Sequence, residues 1–209
     1  MELTSTAFDD GHAIPGEYAF CLPDADTHAT FGPNRNPAFT WSDLPEGTRS
    51  LVMICHDPVV PTSGEDVNQE GREVPADLAR TDFFHWILVD ISPEAKDLDE
   101  GEFSTGVTPR GKNGPDGPRR TRSGVNDYTG WFDGDPDMEG TYFGYDGPCP
   151  PWNDSLVHRY VFTMYALDVE RCPVEGEFNG ADVLAAIEGR VLAQASVSGT
   201  YTLNPRLTD

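Results

Sequence analysis

The sequence predicts an all-β fold with one helix added near its end, built as a single domain over residues 1–209. Three observations carry this reading. Four apolar runs have the length of strands, one of them alternates strictly between apolar and polar residues, and Gly- and Pro-rich stretches separate them. A sandwich or barrel of this length commonly remains one domain, and neither an internal repeat nor a shift in composition marks a second.

In chain order, strands are expected at 50–55, 83–91, 159–169 and 193–203. The first three are nearly continuous apolar runs, which suits the middle of a sheet covered on both faces. In the fourth, Ala193, Ala195, Val197, Tyr201 and Leu203 alternate with Gln194, Ser196, Ser198, Thr200 and Thr202, the pattern of a strand with one buried face. The segment 181–188 reads as a helix, with Asn179 upstream as its cap and Gly189 as its stop. The connections 58–82 and 94–157 are long for a compact domain and predict functional loops, the second hiding short strands.

Charge sets the class of partner. The chain carries 36 acids against 14 bases, a net charge of -22, and Lys96 and Lys112 are its two lysines. No continuous basic surface is available to displace counterions from phosphates, so nucleic acid is not an expected partner. The cluster Arg119, Arg120 and Arg122 reads as a surface loop ahead of an anion clamp. Acids spread along the whole chain, with lysine nearly absent, suit a halophilic protein dissolved in molar salt. No apolar stretch approaches the roughly 18 residues of a membrane span, so stable membrane insertion is not expected. The first twenty residues lack both Lys or Arg and the apolar core of a signal peptide, which predicts the cytoplasm. There, Cys21, Cys55, Cys149 and Cys172, far apart and without metal-binding spacing, are expected as free, mostly buried thiols. Asn153-Asp154-Ser155 matches a glycosylation acceptor by letter alone and is set aside.

The chemistry-bearing residues collect at strand ends. Asp57 follows the first apolar run and His85 opens the second; if the two strands are antiparallel neighbours, both fall at one edge of the sheet and can touch. His158 reaches the same edge if its strand runs parallel to that of His85. One carboxylate and two imidazoles there would form a small polar pocket. Read singly, Asp57 before Pro58 is an ordinary turn residue and a His beside Trp86 an ordinary structural hydrogen-bonder. His12, His28 and His56 read as surface or packing residues. Gly147-Pro148-Cys149-Pro150-Pro151 must be a stiff loop, because three prolines fix φ and remove three donors. Placed just before His158, it makes either a rigid pocket wall or a structural turn.

Together these residues resemble the phosphatidylethanolamine-binding protein (PEBP) family, in its prokaryotic Raf kinase inhibitor-like branch. The matching segments, in order, are Pro37-Ala38-Phe39-Thr40-Trp41, Pro45 to Leu51, Asp57-Pro58, His85-Trp86, Gly124 to Tyr128, Gly147 to Pro151, and His158-Arg159-Tyr160 with Tyr165 to Asp168. The tail, Val191-Leu192-Ala193 to Gly199-Thr200-Tyr201, is similar as well, so the likeness runs over nearly the whole chain. It implies a PEBP-like β sandwich of two antiparallel sheets with a few short helices, and at one end a small anion pocket that takes phosphate-like groups or phospholipid head groups. Carried over by position, that pocket comprises Asp57, His85, Pro150, Pro151, His158 and Tyr160. Two positions depart from the pattern: Val59 stands where the family's Asp-Pro-Asp motif has its second Asp, and Gly189-Arg190 where it has Gly-His. The first weakens the case for an amine ligand such as ethanolamine unless Asp66 or Asp82 replaces the lost carboxylate.

The expected function is therefore binding of a small phosphate-type anion, without a cofactor and without catalysis. In this reading two imidazole N–H groups and the Tyr160 hydroxyl converge as donors, Asp57 favours a protonated imidazole, and affinity falls above about pH 7 as imidazolium is lost. One alternative is an inhibitor of a kinase or protease, with the protein partner unspecified by these residues. Another is an ester hydrolase, with His85 or His158 as base or with Asp57, His85 and His158 as a two-His, one-carboxylate metal set. Against it, the chain has no Gly-x-Ser-x-Gly elbow. Microbial members of the family are often dimeric, which makes a homodimer an expectation.

Net charge by itself generates one prediction. At about 1 M salt the Debye length is roughly 3 Å, against about 10 Å at 0.1 M, so repulsion among the carboxylates fades as salt rises. The melting temperature should climb steeply as KCl is raised from 0.1 M towards 2 M, and a flat profile in thermal scans would contradict salt adaptation.

Overall fold

The computed structural model describes residues 1–208, and its architecture follows from which strands have one face to bury and which have two. The strands are β1 (Glu2–Ser5), β2 (Cys21–Asp24), β3 (His28–Phe31), β4 (Phe39–Ser42), β5 (Ser50–Pro61), β6 (Arg80–Ile91), β7 (Asp97–Leu98), β8 (Arg122–Ser123), β9 (His158–Leu167) and β10 (Val191–Tyr201). The α-helices are α1 (Tyr128–Trp131) and α2 (Gly180–Ala186). A five-stranded antiparallel sheet in the order β10-β9-β5-β6-β8 is the backbone of the fold. A three-stranded antiparallel sheet, β1-β4-β7, faces it, and β2-β3 forms a separate hairpin.

The continuous apolar runs are explained by what covers them. On one face of the large sheet, Leu51, Met53, Cys55, Trp86, Leu88, Phe162 and Met164 pack with Leu3, Phe39, Trp41 and Leu98 of the small sheet. On the other, Val52, Ile54, Ile87 and Val89 pack under α2 and the segment before it, through Cys172, Val174, Phe178, Val183 and Ile187. Strands buried on both faces have no solvent side to encode, so their alternation vanishes from the sequence. Strand β10 lies at the sheet edge, and Ala193, Ala195 and Val197 are more buried than Gln194, Ser196 and Ser198, as the alternation predicts, while Tyr201 is only partly buried.

All four predicted strands form, with shifted ends. The first two run further than expected: β5 continues to Pro61 and β6 begins at Arg80, so both enter what the sequence presents as loop 58–82. Loop 94–157 does hide short elements, namely β7, β8 and α1. The strands missed outright are β1 to β4, each four residues long, although Phe39 and Trp41 are buried while Thr40 and Ser42 are exposed. Helix α2 begins one residue early and ends at Ala186, and Asn179 closes a capping box in which its side chain accepts from Asp182 N–H while Asp182 accepts from Asn179 N–H. Gly189 follows in the left-handed region at φ 74°.

One expectation fails for a covalent reason. Cys21 of β2 and Cys149 of the proline-rich loop are joined in a disulfide, 128 residues apart in sequence, while Cys55 and Cys172 are the buried free thiols. Wide spacing in sequence conceals such a pair, because the fold brings the β2-β3 hairpin against the loop. No helix among the described residues is long and apolar enough to cross a membrane.

The cap is testable. Asn179→Ala removes one of the two reciprocal bonds and should cost about 1 kcal/mol in urea denaturation at fixed salt. An unchanged midpoint would mean that packing of Val183 and Ile187 alone sets the helix.

Candidate functional site

The inward-facing ladder of the large sheet continues past the end of the small sheet, and the pocket occupies that overhang. On β5, Leu51, Met53 and Cys55 lead to Asp57; on β9, Met164 and Phe162 lead to Tyr160 and His158. Strands β6 and β9 both pair antiparallel with β5, one on each side, so they run parallel to each other, and His85 and His158 reach the same edge. His85 arrives there by a device that periodicity does not reveal. Cys55 pairs with Trp86 but His56 pairs with Phe84, which makes His85 the extra residue of a β-bulge. The bulge turns Phe84 to the helix-covered face and leaves His85 on the pocket side with Phe83.

The cavity measures about 80 Å³ and is lined by Asp57, His85, His158, Tyr160, Phe83, Tyr128, Trp131, Cys149, Pro150 and Pro151, with Val60, Pro61, Gly64, Val67 and Asn68 on the loop side. All six residues predicted for the site are therefore brought together. Asp66 and Asp82 are not among the lining residues: Asp66 pairs with Arg72 at 2.6 Å and Asp82 lies 3.8 Å from His56. Neither of them replaces the carboxylate that Val59 omits.

Within the pocket, Asp57 orients one imidazole, as expected, and it is that of His158, whose Nδ1–H donates to Asp57 Oδ2 at 2.6 Å. The His158 Nε2–H donates to Asp154 Oδ2 at 3.1 Å, so the expected convergence of two imidazole N–H groups on a ligand does not form. The second oxygen of Asp57 accepts from Val59 N–H at 2.8 Å. Asp154 is held in turn by a two-pronged contact from Arg80, at 2.6 and 3.1 Å. The result is a buried chain of alternating charge, Asp57, His158, Asp154 and Arg80, linking the ends of β5, β9 and β6. Burial opposes the charged form of His158, but its bonds to Asp154 and Asp57 outweigh that and push its pKa up to about 9. For Asp154, burial raises the pKa, yet the bonds from His158 and Arg80 hold it below the usual carboxylate range.

With both nitrogens engaged, His158 offers neither a donor to a ligand nor a lone pair to a metal. The two-His, one-carboxylate metal set does not fit this geometry, and no group of three His, Cys, Asp or Glu among the described residues is arranged to hold an ion. His85 is the free imidazole. Its Nδ1–H donates to the Asp146 carbonyl at 2.8 Å, which turns Nε2 outward as an acceptor, and burial drives its pKa down to about 4 despite the charge of Asp57.

The wall loop is anchored through Asp146, a residue sequence reasoning missed. Its carboxylate is fully buried and receives Asn34 Nδ2 at 2.7 Å, Asn126 Nδ2 at 2.8 Å and Lys112 Nζ at 3.0 Å. Its N–H also donates to the His85 carbonyl at 3.0 Å. Next to it, a Cβ on Gly147 would lie 2.0 Å from the Tyr18 carbonyl oxygen, so only glycine fits. The Pro148 carbonyl then accepts from both Phe20 and Cys21 N–H. A signal for this anchor existed, since in a chain with two lysines the retained Lys112 is buried against a carboxylate. Asn153 is also buried: its side chain accepts from Asn68 N–H and donates to carbonyls of the 66–72 turn, pinning the loop over the pocket. Its amide is thereby committed to structural bonds inside the fold.

The histidines set aside behave as expected. His12 is exposed, His28 stacks on Trp152 and bonds Glu70, and His56 lies partly buried near Phe84. Arg119, held by Asp97, Asp99 and Glu102, lies in a braced surface turn, whereas Arg122 departs from the expected surface loop: it is buried in β8, where it bonds Asp90 and the Val174 and Cys172 carbonyls.

Comparison with known proteins settles the family. Residues 4–202 match the family model described as phosphatidylethanolamine-binding protein. The chain belongs to the phosphatidylethanolamine-binding protein family. Among its relatives is the UPF0098 protein YbhB of Escherichia coli, 30% identical over 97% of this chain and 100% of YbhB. A UPF0098 protein of Methanothermobacter thermautotrophicus is 31% identical over 96% of this chain and 98% of its own length. Of solved structures, E. coli YbcL, described as a new member of the mammalian PEBP family, superposes with a TM-score of 0.68 at 25% identity, covering 96% of this chain and 97% of YbcL. The PEBP homologue CT736 of Chlamydia trachomatis gives 0.62 at 30% identity over 96% and 95% of the two chains. The β sandwich that the resemblance implies is thus the fold of this PEBP chain.

The two histidines predict a stability profile with opposite slopes. His158, raised, stabilises fully below its unfolded value of about 6.5 and loses that contribution as pH rises through about 9. His85, lowered, is neutral when folded but protonated when unfolded, so stability falls as pH drops from about 6.5 towards 4. Thermal scans across pH should peak near neutrality, and His158→Gln should lower the peak and flatten its alkaline side. An unchanged alkaline limb would remove His158 from the account.

Proposed function

We propose that this PEBP chain is a binding protein, not an enzyme, whose ligand is a small phosphate-type anion, either free or as a head group. The observation that carries the reading is His85 Nε2, turned by the β-bulge into a small cavity where the charge of Asp57 is already balanced by His158. An unbalanced Asp57 would repel an anion; the ion pair removes that obstacle.

The donor scheme expected from sequence changes accordingly. His158 supplies no N–H to the ligand, and a neutral His85 presents a lone pair. The complement is a phosphate that brings a proton: its P–OH bonds Nε2, or passes the proton to it and leaves an imidazolium facing a dianion. A phosphate monoester loses its second proton near pH 6, so affinity should fall above neutrality for this shared proton. The adjacent Tyr160 hydroxyl is the second expected contact, and Pro150 and Pro151 limit the entropy lost on binding. Catalysis fits poorly, because the more basic imidazole is clamped by two carboxylates and the free one is a weak base. The setting proposed with this function is the cytoplasm of a cell that accumulates salt, read from the net charge of -22.

Calorimetric titration of inorganic phosphate and phosphoethanolamine into the wild type and His85→Ala, in about 2 M KCl to screen the surface, tests the proposal. Expected are dissociation constants of roughly micromolar to millimolar size, weaker at pH 8 than at pH 6, nearly equal for the two ligands because Val59 leaves the amine without a carboxylate, and abolished in the variant. Equal affinity at both pH values would sink the shared proton. No binding by the wild type would refute the anion pocket and favour a protein partner.

A further inference from the structure

The wall of the pocket is also the place where the disulfide sits. Cys149 lines the cavity between Pro148 and Pro150 and is partly exposed, whereas its partner Cys21 is 6% exposed. Cys21 is the fixed end. It is paired opposite Phe31 in the β2-β3 hairpin, its N–H donates to the Pro148 carbonyl, and its carbonyl accepts from the Tyr201 hydroxyl at 2.8 Å. Cys149 is the reachable end: it is partly exposed on the cavity wall, between the Pro148 carbonyl, bonded by Phe20 and Cys21 N–H, and the Pro151 carbonyl, bonded by Asp154 N–H. A reagent entering the cavity therefore meets Cys149 first.

We infer that Cys149 is a thiol-exchange site: a small thiol or dithiol reductant reaches the Cys21–Cys149 bond through the ligand pocket, and an anion in the pocket shields it. The attacking thiolate forms a bond to Cys149 Sγ, the Sγ–Sγ bond breaks, and Cys21 leaves as a thiolate that takes up a proton. A second thiol of the reductant then displaces Cys149 from the mixed disulfide, leaving two protein thiols and an oxidised reductant. In a reducing compartment the disulfides that do occur are usually transient or redox-sensing, which fits a bond opening on a binding site rather than one sealed in the core. Reduction frees the wall carrying Pro150 and Pro151, so the two redox forms bind the anion differently. By linkage, an anion that binds the oxidised form more tightly also shifts the equilibrium against reduction when the pocket is filled. The shielding half of this inference rests on the phosphate reading; access through the pocket does not. Cys55 and Cys172 are internal controls, since burial pushes the Cys55 thiol well up and that of Cys172 up to about 11.

The test follows reduction of the folded full-length chain in molar KCl by trapping new thiols with N-ethylmaleimide and mapping them by mass spectrometry. It compares 2-mercaptoethanol with the bulkier glutathione, each with and without saturating inorganic phosphate. Expected is modification at Cys21 and Cys149 while Cys55 and Cys172 stay unmodified, reduction severalfold faster with the smaller thiol at equal thiolate concentration, and severalfold slowing by phosphate. Phosphate affinity should also differ severalfold between oxidised and reduced protein. Size-dependent reduction without any phosphate binding would overturn the anion reading and leave the exchange site standing. Reduction at one rate with both thiols, appearing together with modification of Cys55 and Cys172, would mean that the bond opens only on unfolding and would overturn the exchange site. Four free thiols in the purified, denatured protein would overturn it as well.

Discussion

Burial of the Asp146 carboxylate is the constraint around which the loops of this protein are arranged. A carboxylate cannot remain charged in the interior without partners, and none of its three side-chain partners comes from the large sheet: Asn34, Lys112 and Asn126 arrive from three separate irregular segments. Its own backbone pairs in both directions with His85 on β6. One charge thus gathers segments that have little regular structure of their own and registers them against the strand that carries the free imidazole. Loss of one partner from a buried ion pair leaves the other uncompensated, at a cost typically about 3–5 kcal/mol, which exceeds what a surface turn contributes. The rigidity of the pocket wall is therefore electrostatic in origin, with the prolines narrowing what is left.

The second buried network explains why two histidines at one rim have different work. Asp57, His158, Asp154 and Arg80 alternate in sign, so the chain is neutral as a unit and each charge has its partner at hydrogen-bond distance. Neutrality matters more than strength here, because the pocket floor then neither repels an anion nor attracts a cation strongly. His85 stands outside that network. It faces a carbonyl and aromatic rings of Phe83, Tyr128 and Tyr160, an environment that disfavours imidazolium until a ligand supplies a negative charge.

How much of this was legible in the sequence depends on whether a feature is periodic. Strands β5, β6, β9 and β10 and helix α2 announce themselves by apolar runs, alternation and caps. The small sheet does not, because four-residue strands such as Glu2–Ser5 with one buried side chain hold too little pattern. The order of residues along the strands was enough to suggest Asp57, His85 and His158 at one edge, with Tyr160 supplied by the family resemblance, but not to pair them. A single bulge at His85 decides which side chain faces the cavity, and bulges have no simple sequence signature. Asp154 was hidden inside a glycosylation-like triplet, and the Cys21–Cys149 bond depends on a hairpin packing against a loop 128 residues away.

Salt acts differently on the acidic surface and on the buried ion pairs of the pocket. At molar ionic strength the field of exposed carboxylates decays within roughly 3 Å, so the net charge of -22 is not felt by a ligand already inside the cavity. The pairs Asp57–His158 and Lys112–Asp146 are buried and exclude the ions that would screen them. Salt thus weakens repulsion among the surface carboxylates while leaving intact the interactions that shape the site. In dilute buffer surface repulsion acts over about 10 Å, and an anion approaching the pocket would meet that field. The chemistry of the proposed anion pocket is therefore best judged at high salt, where the surface charge is screened and the buried pairs are not.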